Sequence, residues 1–137
     1  MYISTNPRFG TGAELWRRAT PLSPTHKAPV VGPLGPNGEE VVLDHTNDGA
    51  PARFVYARDF VAQAPTVVGK PGAASIAEEA LVQARAFQVV GTPYNLLTWN
   101  CEHLTSYVTK GKPESPQLAV GLGCVALFAL LFVASNQ

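Results

Sequence analysis

Residues 118–134 carry no charged side chain, and this run constrains the chain more than any other feature. A helix that is apolar on every face needs an apolar surrounding, either the middle of a large core or a bilayer. A chain of 137 residues has little core in which to bury it. The run lies at the lower length limit of a membrane-spanning helix. Gly121 and Gly123 lower helix propensity but are common in membrane helices. Membrane insertion is the expectation; a buried C-terminal helix is the alternative. With only Ser135-Asn136-Gln137 beyond it, the segment is expected to insert after synthesis and leave the preceding domain on the cytosolic face. The distal side lacks Lys and Arg, so the pattern specifies attachment rather than a full span.

The rest reads as one domain, residues 13–111, with an irregular arm before it (1–12) and a linker after it (112–117). Net charge is zero, and no basic run supports direct nucleic-acid binding. Two cysteines, one inside the apolar tail, make no disulfide framework, and a reduced cytosolic setting is expected. The first eight residues have no apolar core of the signal-peptide kind.

In chain order, residues 14–18 read as a strand with Leu15 and Arg17 on one face and Trp16 on the other. The Arg17-Arg18 pair is expected at a solvated edge, with contact to lipid head groups as the alternative. Residues 26–32 give a second strand, which Pro29 would confine to an edge or a bulge. Asn37-Gly38 signals a hairpin, and residues 39–45 form the returning strand. Residues 53–57 look like a further strand, and residues 64–74 like a Pro/Gly-rich connector. Ser75 and Glu78 make a capping box for a helix reaching about Val90. Ala77, Ala80, Leu81, Ala84, Phe87 and Gln88 supply its expected core stripe.

Asn100-Cys101-Glu102-His103 opens another helix, which stops at Gly111. Cys101 is either a small buried core residue or a nucleophile. The second reading rests on its place in the first helical turn, where the dipole favours the thiolate. His26 and His45 fall near the open ends of two paired strands, so both can face one site. A thiol, a base and a third polar group that orients the base are the parts of a covalent acyl-transfer site. The Cys101 N–H is the natural oxyanion donor. His103, two residues on along the helix, points elsewhere and is expected to make a structural hydrogen bond. Glu102 suits the positive helix end without any catalytic role. A zinc site from Cys101, His26, His45 and His103 lacks close-paired ligand spacing.

The order of a strand histidine, a Gly-containing hairpin, a second histidine, a long helix and Asn-Cys-Glu-His resembles the H-box/NC proteins. These are the lecithin:retinol acyltransferase-like branch of the NlpC/P60 thiol-hydrolase superfamily. The likeness covers roughly residues 13–134. It implies an α+β fold: a small antiparallel sheet packed on helices in a permuted papain-like core, with a C-terminal hydrophobic helix. It implies acyl chemistry on phospholipids without a cofactor or metal, with Cys101 as nucleophile, His26 as base and His45 as third member. Lys27 stands where the family usually has an aromatic residue, and Pro29 interrupts a normally regular strand. The short, proline- and alanine-rich chain is also similar to the H-box/NC 2A proteins of kobuvirus-like picornaviruses, which are not proteases. Its Gln137 end is what cutting after glutamine by a 3C-type protease would leave. That resemblance implies a role in genome replication and assembly on membranes of the host cytoplasm, with viral or host replication proteins as partners. It leaves open whether the thiol site is active or the fold serves as a scaffold.

Overall fold

The computed structural model describes residues 6–136; residues 1–5 of the expected arm, and Gln137, lie outside the described residues. The fold is α+β. Strands β1 (Glu14–Arg17), β2 (His26–Gly32), β3 (Val41–Asp44), β4 (Arg53–Tyr56) and β5 (Thr66–Lys70) form an antiparallel sheet in the order β4-β3-β2-β1-β5. Helix α1 (Ala57–Ala62) follows β4, and α2 (Ile76–Val89), α3 (Cys101–Lys110) and α4 (Pro116–Ser135) complete the chain.

Alternation along the strands sorts side chains between two cores. Val31, Val41 and Leu43 meet Val82 and Ala86 of α2 and Leu104 and Val108 of α3. Leu15, Ala28, Val30 and Val42 point the other way and close over Phe60 of α1. Fully burying a side chain of this size stabilises by about 2 kcal/mol.

Several expectations change. Strand β3 is shorter than residues 39–45, and the Glu40 carboxylate before it accepts hydrogen bonds from the Phe9 and Gly10 N–H groups. This ties residues of the arm to the sheet. Pro29 is not at an edge, since β2 lies between β1 and β3. It sits where β2 changes partner: residues 26–29 pair with β1, and the irregular pairing with β3 begins at Val30. The lost donor therefore interrupts no regular β2–β3 ladder. The connector over 64–74 contains β5, which pairs with β1. Helix α2 keeps its Ser75 cap, whose Oγ accepts from the Glu78 N–H at 3.2 Å. It turns a different face inward, however. Val82, Ala86 and Val89 are buried, while Leu81 and Phe87 are exposed. An alanine-rich helix has apolar residues on several faces, so spacing alone does not choose among them.

Candidate active site

His26 opens β2, and side-chain alternation places it with Ala28 and Val30 on the Phe60 face of the sheet. Its ring lies 5.7 Å from the Phe60 ring, centroid to centroid. Asp44 closes β3 two residues beyond Val42, on that same face. Its Oδ1 lies 2.7 Å from His26 Nε2. Cys101 is the other group that acts on the His26 ring and helps to favour its positive form. Burial disfavours the His26 imidazolium, but the hydrogen bonds to Asp44 and Cys101 outweigh it and raise the pKa to about 9. Burial likewise opposes the Asp44 carboxylate, yet His26, then Arg17 and Arg53, hold it below the ordinary aspartate range.

Cys101 is the first residue of α3, and Asn100 fixes that start. Asn100 Oδ1 accepts from the N–H groups of Glu102 (2.9 Å) and His103 (3.1 Å). His103 Nδ1 accepts in return from the Asn100 N–H at 3.1 Å, completing a capping box. The Asn100 carbonyl takes the Leu104 N–H. None of these bonds uses the Cys101 N–H, the candidate oxyanion donor. At the far end Gly111 adopts φ +80°, which lets it close the helix without a Cβ penalty.

The place expected for His45 beside His26 belongs instead to Asp44. One residue along a strand reverses the side-chain direction, so His45 falls on the Leu43 face. It is fully buried with its ring edge-on to Tyr94 at 5.2 Å. Burial lowers its pKa, offset in part by the Pro93 carbonyl and Asp44. Among the described residues, no three His, Cys, Asp or Glu side chains are grouped to hold a metal ion.

Lys27 faces away from His26, toward α3. Its ammonium is 2.7 Å from Glu102 Oε2 and 4.5 Å from the centroid of the Trp16 ring. Lys27 and Glu102 follow His26 and Cys101 directly in sequence, so this pair ties the start of β2 to the start of α3. Glu102 Oε1 accepts from Ser115 Oγ (2.9 Å) and the Gln117 N–H (3.0 Å). Burial opposes the Glu102 charge, but Lys27, Ser115 and Gln117 together hold its pKa down. Gln117 also exchanges two side-chain hydrogen bonds with the Thr25 backbone. The base of α4 is thus fastened to residues flanking both His26 and Cys101. Beyond it, no residue of α4 is buried, and the helix is long and apolar enough to cross a membrane.

Arg17 is a further residue of the site that the sequence reading placed at a solvated edge. It is 9 % exposed and sits directly across from His26 in the β1–β2 ladder. Its alternation with Leu15 was the available signal; the flanking Arg18 obscured it. Asp44 carried the corresponding signal through its alternation with Val42.

No family model, curated protein or solved structure matches this chain.

Proposed function

We propose that this chain is a membrane-attached thiol acyltransferase or phospholipase A-type hydrolase of the H-box/NC kind, with Cys101 as nucleophile, His26 as acid–base and Asp44 as the group that orients His26. The single observation that carries the reading is the His26–Asp44 pair at 2.7 Å, with Cys101 acting on the same imidazole. Cysteine attacks as the thiolate, and His26 is the acid–base group assigned to handle its proton. The sulfur attacks an ester carbonyl, forming a C–S bond and an oxyanion that the Cys101 N–H can receive. The C–O bond then breaks, and the departing lysolipid alkoxide takes a proton from His26. Water or an amine next attacks the thioester and gives its proton to His26, while the sulfur leaves as thiolate. A permuted papain-like core belongs to the same proposal, supported by the chain order of base strand before nucleophile helix.

The membrane supplies the substrate in this reading. Helix α4 is wholly exposed and apolar, and its base is bonded to the site. Exposed Leu22, Leu96 and Leu97 lie on the two loops that reach this base, through Thr25 and Asn100. The kobuvirus-like 2A resemblance adds a setting, the cytosolic face of host membranes where viral RNA replicates. Incubating the full chain with phosphatidylcholine vesicles tests the chemistry. Mass spectrometry is expected to find one acyl group on Cys101, absent in Cys101→Ala. Folded wild-type protein that never acquires the adduct would refute the enzymatic reading and leave a membrane scaffold.

A further inference from the structure

A buried guanidinium beside the site has no ion-pair partner. Arg17 is nine-tenths buried and forms no salt bridge among the described residues. Nη1 donates to the Phe60 carbonyl at 2.7 Å, and the guanidinium carbon stacks 3.9 Å from the centroid of the Phe60 ring. Asp44 acts on it from a distance but is directly engaged by His26. The residues lining the cavity beside it include Arg17 and His26 and no carboxylate, a lining that favours an anion. Space for one is present. Arg17 and His26 line a cavity of about 270 Å³, with Ser23, Pro24, Thr46 and Gln63 among its walls. Arginine and two hydroxyl residues are a phosphate-binding set. The volume lies at the small end of ligand sites, suited to a headgroup rather than an acyl chain.

We propose that this cavity is a phosphate subsite in which Arg17 holds the phosphodiester of a glycerophospholipid while its neighbouring ester reaches Cys101. The inference rests on the acyl-transfer reading for its purpose, but the anion site stands on the cavity and its lining by Arg17 and His26 without a carboxylate. In a glycerophospholipid the phosphate is carried on the glycerol carbon next to the sn-2 ester. Arg17 lies directly across from His26, the acid–base of the proposed reaction, in the β1–β2 ladder. The loop that walls the cavity also carries Leu22, 97 % exposed, so the opening adjoins an apolar surface that suits a lipid leaflet.

The test is calorimetric binding to the full chain in dodecyl maltoside micelles, with glycerophosphocholine and inorganic phosphate as separate probes. Wild-type protein is expected to bind glycerophosphocholine, and Arg17→Gln to weaken that binding at least tenfold. Thr46→Val, which leaves the Phe60 contacts intact, is expected to weaken it about threefold, corresponding to one lost hydrogen bond; it decides the matter if Arg17→Gln does not fold. In mixed micelles, Arg17→Gln should slow Cys101 acylation by phosphatidylcholine at least tenfold more than acylation by a neutral p-nitrophenyl ester. Absence of binding to both probes, or unchanged binding in the variants, overturns the subsite. Arg17-dependent binding of inorganic phosphate alone overturns the lipid assignment in favour of a free anion. Because binding is read without turnover, an inactive Cys101 would sink the acyl-transfer reading and leave this result intact.

Discussion

The sheet end that carries His26 and the helix α4 obey opposite rules. At the sheet end, charged groups are taken out of water and matched: Asp44 with His26, Lys27 with Glu102. Along α4 there is no charge to match and nothing is buried. The first region can hold its charges in water, because Asp44, His26, Lys27 and Glu102 pair within the chain. The second is complete only in a medium that accepts apolar surface on every side. Ser115 and Gln117 join the two, so the start of the apolar helix lies beside Glu102, the residue after the candidate nucleophile. For an enzyme acting on lipid, that is where the bond to be broken would lie.

The largest break in this contrast is removal of residues 118–137. The shortened chain keeps Gln117 and is expected to leave the membrane fraction almost completely in vesicle flotation while retaining its domain fold. Continued flotation would show that the loops around Leu22 and Leu96 suffice as the anchor.

The matched charges can be broken singly. Glu102→Gln leaves Lys27 without its counter-charge and is expected to cost about 3–5 kcal/mol in urea denaturation. Adding Lys27→Met should recover much of this loss. Equal losses in the single and double variants would mean that the pair does not act as a unit.

Asp44→Asn sharpens the comparison through pH. The His26 pKa is raised, so that contribution to stability is full below its ordinary 6.5 and fades as pH rises through about 9. The Asp44 pKa is lowered, so its contribution holds above the ordinary 3.8 and fades as pH falls through the still lower folded value. Wild type should therefore exceed the variant most between these limits, by about 2 kcal/mol. Proton NMR should place the variant's His26 pKa at least one unit below that of wild type. An unmoved pKa would remove Asp44 from its assigned role. The smallest effect is expected from Asn100→Ala, about 1 kcal/mol of stability through the lost cap.

Much of the site was legible because its signals are local. A run of strand residues begins at His26, and Asn100 through Gly111 contains both a helix start and a left-handed stop. His45 misled because it is a histidine beside the position that matters. Residue type drew attention to the imidazole, whereas strand alternation favoured the carboxylate next to it. Arg17 misled in the same way, since two adjacent arginines read as surface although only Arg18 is exposed. On α2, apolar residues on several faces left the inward one undetermined.

The amino-acid order alone determined the strand carrying His26, the helix beginning at Cys101 and the apolar C-terminal run, because each depends on spacing, caps or composition within a few residues. The tertiary structure decided that Asp44 rather than His45 meets His26, that Arg17 loses water beside them, and that Glu102 gathers Lys27 and the base of α4 at one carboxylate. Those choices depend on which strands pair and where a pairing changes partner, and short-range propensity carries no record of either.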